Sequence, residues 1–224
     1  MLQRLFRKKQ LTIHLLHIGK TGGTSLIKML EGISNTKYSI KVHPHQYTLK
    51  DIPESDKAIF FLRNPLDRFV SGFYSRKRKG QPTYNVPWNE AEEKAFKTFE
   101  TPNELARALS SDNDELKNSA EAAMRGIRHV NTHFKDWLYS SKYLKTKSKK
   151  IYFIGFQENF DKDVRQLFQK LTRENLNSEV VKSHQTFKKE NKELSEEAKT
   201  NLMQWYKDDF ELYRFCETLA LKVN

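Results

Sequence analysis

The stretch Leu11-Thr-Ile-His-Leu-Leu-His-Ile-Gly-Lys-Thr-Gly-Gly-Thr-Ser-Leu-Ile27 places an apolar run directly before a lysine, two glycines and two hydroxyl residues. The apolar run has the length and composition of a buried strand, and a helical pattern opens at Ser25. A strand, a glycine turn and a helix N-terminus bring free backbone N–H groups, a favourable dipole and the Lys20 charge together. The stretch therefore predicts a phosphate-binding loop.

This loop differs from the nucleoside triphosphate loop that Gly19-Lys20-Thr21 suggests. The G-x-x-x-x-G-K-[ST] motif needs a glycine five residues before Gly19, and that position is His14. Here the two glycines, Gly22 and Gly23, follow the lysine instead, so we expect the lysine at the strand end, pointing into the turn. A chance lysine in an ordinary strand-to-helix turn is the alternative, because glycine, serine and threonine are common turn and capping residues.

Composition limits the class of protein. The 224 residues suit a single domain, and a formal net charge of +12, from 40 basic against 28 acidic residues, favours an anionic partner. No zinc-finger spacing, helix-turn-helix signature or RNP-type aromatic motif is evident, so nucleic acid is not the partner we expect. Cys216 is the only cysteine, and neither a signal peptide nor a run of membrane-spanning length is evident. We therefore expect a cytoplasmic protein without stable membrane insertion.

Strand and helix patterns alternate along the chain, which predicts an α/β fold. Asn64-Pro65 is a strong helix start, since asparagine caps helices and proline suits the first helical position. Beyond the opening strand run, the pattern predicts strands over 38–42, 58–63 and 150–156, and helices over 25–31, 65–79, 89–99, 103–108, 119–139, 161–171 and 196–221.

A second group of polar residues follows another predicted strand. Arg63 ends that strand, and Ser71 lies two turns into the next helix. Ligands of open α/β sheets bind at the carboxyl ends of strands, and arginine can grip a phosphate through its bidentate fork. A helix-capping arginine and a packed serine explain the pair equally well in isolation. Together with the Lys20 loop, the pair predicts a ligand that carries two separated phosphates.

Both motifs resemble those of sulfotransferases that use 3′-phosphoadenosine 5′-phosphosulfate. In that family a Lys-x-Gly-x-Thr-[Ser/Thr] loop binds the 5′-phosphosulfate, and an arginine followed eight residues later by a serine binds the 3′-phosphate. The resemblance implies a three-layer, P-loop-like fold with a central, mainly parallel sheet. It also implies a transfer reaction that needs no metal, because cationic side chains supply the charge. The donor contacts that it implies are Lys20, Thr21, Gly22, Gly23, Thr24, Ser25, Arg63 and Ser71.

The closer likeness is to the carbohydrate-type branch, which includes the heparan sulfate and dermatan/chondroitin 2-O-sulfotransferases and bacterial relatives. Its run R-[DN]-P-x-x-R-x-V-S-x-[FY]-Y corresponds to Arg63 to Tyr74 here, and the run Tyr152 to Phe160 resembles the strand before its late helix. A His-x-His lies at a similar place to His43-Pro44-His45, and in the 2-O-sulfotransferases a histidine is the general base. The resemblance therefore implies a catalytic histidine, for which we choose His45, with His43 as a second candidate.

A further likeness concerns the cofactor-closing loop. Lys182-Ser183-His184 resembles a Lys-Ser-His in the loop that closes over the donor, which makes Lys182 and Ser183 expected donor contacts. Residues 80–149, a helical insertion, carry no residue-level match to an acceptor site, and we expect them to form the acceptor side.

The sequence thus predicts transfer of a sulfuryl group to a hydroxyl acceptor, expected to be a saccharide or glycan, with 3′-phosphoadenosine 5′-phosphate as product. Lys20 would stabilise the leaving phosphate oxygen. Two other classes stay open: a P-loop-type kinase that needs ATP and magnesium, and a non-enzymatic module that binds polyanions and loses affinity with salt.

Two basic groups fall outside these motifs. We expect the run Arg76-Lys-Arg-Lys79 to complement the end of a helix and stay in water. A second set, at near-helical spacing, could face an anionic acceptor or the site: Arg125, Arg128, His129 and His133.

Overall fold

The computed structural model describes residues 10–31, 33, 36–174 and 190–224. Within these ranges four strands form one parallel sheet in the order β2-β1-β3-β4. The strands are β1 (Thr12–Leu15), β2 (Ser39–Val42), β3 (Lys57–Leu62) and β4 (Ile151–Phe156). The α/β fold with a parallel central sheet, predicted from the sequence, is confirmed.

Helices follow or connect the strands. Their bounds are α1 (Gly23–Glu31), α2 (Pro65–Lys77), α3 (Glu90–Thr98), α4 (Pro102–Ala108), α5 (Asp114–Gly126), α6 (Lys135–Leu138), α7 (Ser141–Thr146), α8 (Phe160–Thr172), α9 (Glu196–Trp205) and α10 (Lys207–Val223).

The sheet is covered on both faces, as the apolar run of β3 requires. Because successive side chains of a strand point to opposite faces, Ile59 and Phe61 pack with α1 and α8, whereas Phe60 and Leu62 pack with α6, α7 and α10. A separate apolar cluster joins α2 to α3, α4, α5 and α9. The carboxyl ends of the strands therefore form the open edge of the sheet, between the two layers of helices.

Two predicted helices differ from the observed ones. The predicted helix over 119–139 is wrong, because α5 ends at Gly126, whose Cα packs so closely on Ala91 that a Cβ would lie 2.4 Å from the Ala91 Cβ. Beyond it the backbone N–H of Arg128 donates to Glu92 rather than to a helical carbonyl. The predicted helix over 196–221 is two helices, which meet at Tyr206; the buried Tyr206 hydroxyl donates to the Val130 carbonyl.

The basic run at the end of α2 also departs from expectation. Arg76 is only 1 % exposed and makes hydrogen bonds to Glu92 of 2.7 and 2.9 Å, so the prediction that the whole run stays in water is wrong. Arg128 donates to the same carboxylate at 2.7 Å. One buried carboxylate therefore pairs with two arginines and fastens α3 to α2.

No helix in the described ranges is both long enough and apolar enough to cross a membrane.

Candidate active site

A cavity of about 1440 Å³ opens at the carboxyl ends of β1, β3 and β4. The sequence-predicted residues that line it are Lys20, Gly22, Gly23, Thr24, Ser25, His45, Arg63 and Ser71. Thr21 does not line it, because its side chain is buried and donates to the Ile18 carbonyl at 2.9 Å. Lys182 and Ser183 lie outside the described residues.

The loop after β1 has the backbone conformation that its glycines permit. Gly22 has a φ of 88° and lies so close to Gln157 that a Cβ would be 2.1 Å from the Gln157 Oε1. Lys20 adopts a φ of 68°, in the left-handed region that side chains seldom occupy. Helix α1 then begins at Gly23, so its first N–H groups lie at the cavity. A loop with this backbone geometry can cradle an anion.

The buried side chain of Arg68 holds this loop in place. The Arg68 Nε donates to the Gly19 carbonyl at 3.0 Å, and its other nitrogens donate to the Thr132 carbonyl and hydroxyl. Burial first, and then the positive charges of Arg63, Arg78 and Arg68, lower the Lys20 pKa to about 8. The sequence indicated Arg68 only as the second arginine of the run from Arg63 to Tyr74. A lysine so crowded by cations favours a multiply charged anion.

The Arg63 side of the cavity holds further cations that the sequence analysis did not assign. Burial lowers the Arg63 pKa, which Asp67 and Glu158 partly oppose. Arg78, the residue that follows α2, lines the cavity and forms an ion pair with Glu190. Lys192 lines the cavity as well. Lys192 lies far along the chain from Arg63, and only the fold brings these two charges to one cavity.

His45 is oriented from two sides. Its Nδ1 lies 2.7 Å from the carbonyl oxygen of His17, and its own carbonyl accepts a hydrogen bond of 2.6 Å from the Trp137 indole. Since a carbonyl oxygen only accepts, Nδ1 carries a proton, and in the neutral ring the lone pair is on Nε2. The His17 and His45 rings stack with centroids 3.9 Å apart. These contacts fix the orientation of the His45 ring at the cavity.

His43 does not line the cavity. Its Nε2 lies 2.8 Å from the Nδ1 of His14, and its ring stacks on Tyr47 with centroids 3.6 Å apart. The Nε2 of His14 contacts Asp56 at 3.1 Å. His43 and His45 thus join different groups, one beside the sheet and one at the cavity.

His129 lines the cavity, alone among the four residues from Arg125 to His133 that the sequence placed at near-helical spacing. Burial first, and then the charges of Lys20 and His45, lower its pKa to about 3, so it is a neutral imidazole. Its Nε2 lies 3.1 Å from the hydroxyl of Tyr84, which also lines the cavity. The early end of α5 turns His129 inward, and no sequence pattern marked that turn.

The end of β4 completes the cavity wall. The buried Gln157 Oε1 has no hydrogen-bond partner among the described residues. Glu158 accepts from the Asn64 backbone at 2.6 Å and from the Tyr213 hydroxyl at 3.0 Å. The polar groups that face the cavity from the phosphate loop and Arg63, namely cations, hydroxyls and N–H donors, suit phosphate and sulfuryl oxygens. Within the described ranges, no group of three or more His, Cys, Asp and Glu side chains could hold a metal ion.

Comparison with known proteins gives one finding on identity. A family model described as "Sulfotransferase family" matches residues 3–216, which is most of the chain and includes every residue of the cavity. No curated protein matches the chain.

Proposed function

Because the chain belongs to the sulfotransferase family, whose chemistry is sulfuryl transfer, we propose that its donor is 3′-phosphoadenosine 5′-phosphosulfate and its acceptor a hydroxyl of a saccharide or glycan. The observation that carries the proposal is that the Lys20 loop and the pair Arg63 and Ser71 line one cavity from neighbouring strands. Two anion sites in one cavity fit a nucleotide with phosphates at both its 5′ and 3′ positions.

The chain's own residues divide the binding of this donor. Lys20, Thr24 and Ser25, with the first N–H groups of α1, would hold the 5′-phosphosulfate. Arg63 and Ser71 would hold the 3′-phosphate. Held at both ends, the donor cannot rotate, and the sulfur is presented to one side of the cavity.

His45 would act as general base. Its Nε2 takes the proton of the acceptor hydroxyl as the acceptor oxygen bonds to sulfur and the bond from sulfur to the 5′-phosphate oxygen breaks. The leaving phosphate oxygen keeps the electron pair, and the Lys20 charge stabilises it. The products are a sulfate ester and 3′-phosphoadenosine 5′-phosphate, with the proton on His45 until solvent removes it.

The acceptor side of the cavity is the part lined by Tyr84 and His129. Tyr84 is 39 % exposed and presents an aromatic ring, while His129 is uncharged. An aromatic face beside neutral hydrogen-bonding groups suits the alternating apolar and hydroxyl surfaces of a sugar ring.

Two expectations from the sequence stay predictions. Lys182 and Ser183 are predicted donor contacts, and the predicted location is cytoplasmic.

The experiment that tests this proposal is a transfer assay with sulfur-labelled donor and a panel of mono-, oligo- and polysaccharides, analysed by mass spectrometry of the products. We expect a labelled sulfate ester on a saccharide without added metal. The proposal is wrong if label moves only to non-saccharide hydroxyls, or if none moves while ATP with magnesium supports phosphorylation.

A further inference from the structure

We propose that His17 is a positioning residue that aligns the imidazole of His45 with the phosphate loop, an inference that rests on the proposed transfer reaction. The step between acceptor and donor needs the base and the donor sulfur in a fixed relation, and misplacement by about 1 Å can cost roughly 100-fold in rate. His17 lies in the chain between β1 and Lys20, and it contacts both His45 and the start of the phosphate-binding helix α1.

The first contact is with His45. The two imidazole rings stack with centroids 3.9 Å apart and an angle of 29° between their planes. The backbone carbonyl of His17 also accepts the Nδ1–H of His45 at 2.7 Å. Side chain and backbone of one residue therefore fix the tilt and the tautomer of the base, respectively.

The second contact is with Gly23, the first residue of α1. A Cβ at Gly23 would lie 2.4 Å from the Cδ2 and 2.7 Å from the Nε2 of His17, so the ring lies flush against the start of the phosphate-binding helix. Gly23 has no side chain to hold the ring away. The ring of His17 is thus layered between the loop that would hold the donor and the imidazole that would take the proton.

The ring is suited to pack against another imidazole because it is uncharged. Burial first, and then the neighbouring His45, lower the pKa of His17 to about 4, so near neutral pH it adds no charge beside the base. A proton on His17 would oppose one arriving on His45 during the reaction. His17 is therefore a poor proton acceptor near neutral pH. For this reason we assign proton transfer to His45 and positioning to His17.

The test compares His17→Phe, His17→Leu and His17→Ala in the labelled transfer assay, with the affinity for 3′-phosphoadenosine 5′-phosphate measured by calorimetry. We expect kcat to fall about 10- to 100-fold for leucine and alanine, with donor KM and nucleotide affinity within about threefold of wild type. Phenylalanine keeps a flat ring that can stack, so its kcat should lie within about threefold of wild type.

The inference is overturned if His17→Ala keeps the wild-type kcat, if phenylalanine is as slow as leucine, or if nucleotide binding is lost along with turnover. Should the alanine protein fail to fold by circular dichroism, the comparison of phenylalanine with leucine decides, because both fill the volume. A wild-type protein that transfers no sulfuryl group refutes the proposed function, and this inference with it; active wild type with unaffected variants refutes this inference alone.

Discussion

The Nδ1 of His45 lies 2.7 Å from the carbonyl oxygen of His17, the residue three positions before Lys20 in the chain. A carbonyl oxygen cannot donate, so this one contact places a proton on Nδ1, and in the neutral ring the lone pair is on Nε2. The tautomer of the proposed base is thus set by the backbone that leads into the phosphate loop. Base and loop are two parts of one local structure.

Replacing His45 with alanine should abolish turnover and spare nucleotide binding. Loss of a general base costs about 100- to 10,000-fold in kcat, whereas the phosphate contacts stay in place. His43→Ala is the matched control, because His43 stacks on Tyr47 and does not line the cavity. Equal losses in the two variants, measured with labelled donor, would show that the base is not His45.

Affinity for 3′-phosphoadenosine 5′-phosphate should fall as the pH rises above about 8. The lowered Lys20 pKa means that the free protein loses this proton near pH 8, while a bound polyanion favours the charged form. Binding above that pH must take up a proton, which weakens it by up to about tenfold per pH unit. Calorimetry from pH 6.5 to 9.5 should show this decline in wild type and not in Lys20→Met.

Gly22→Ala should weaken nucleotide binding far more than Gly19→Ala. Gly22 has a φ of 88° and a Cβ there would collide with Gln157, whereas a Cβ at Gly19 meets only His129 at an ordinary 3.6 Å. Both variants change one residue of the same loop by one methyl group. Similar affinities by calorimetry would contradict the loop conformation described.

Glu92→Gln should lower the free energy of unfolding by about 3–5 kcal/mol, because it leaves the buried Arg76 with an uncharged partner. Burial would raise the Glu92 pKa, but hydrogen bonds from Arg76 and Arg128 outweigh it and hold the value at about 2. Since the folded pKa lies below the ordinary 4.5, the carboxylate stabilises the fold above pH 4.5, and this stabilisation is lost as pH falls towards 2.

Urea titrations of wild type and Glu92→Gln at pH 7 and pH 3 should therefore give a smaller difference at the lower pH. Glu93→Gln is the control, because Glu93 is exposed and pairs only with Lys97 one helical turn away. An equal effect of the two substitutions would contradict the structural role of Glu92.

Strands β1, β3 and β4 were predictable because each lies in a short apolar run, and Asn64-Pro65 marked the start of α2 to the residue. The end of α5 was not predictable. α5 stops where Gly126 packs on Ala91 and Glu92 accepts the backbone N–H of Arg128, and both contacts come from another helix. A helical period in one segment carries no record of such a partner.

The same distinction holds at the cavity. Lys20 and Arg63 were found because each sits in a local motif at a strand end. His17 was not assigned, and His129 was only one of four residues that could face an acceptor or the site, since what defines them is a stacked ring in one case and an inward turn after α5 in the other. Their chemistry depends on contacts between segments distant in the chain.

The central claim is that the Lys20 loop and Arg63 form one clamp for a nucleotide with two separated phosphates. Calorimetric titration with 3′-phosphoadenosine 5′-phosphate, beside ATP with magnesium, tests it in wild type, Lys20→Ala and Arg63→Ala, with Arg107→Ala, whose arginine pairs at the surface with Glu197, as control. We expect wild type and the control to bind the bisphosphate without metal, and each clamp variant to bind it about 10- to 100-fold more weakly. Two results would contradict the clamp. In one, wild type binds ATP with magnesium but not the bisphosphate; in the other, both clamp variants bind the bisphosphate as tightly as wild type.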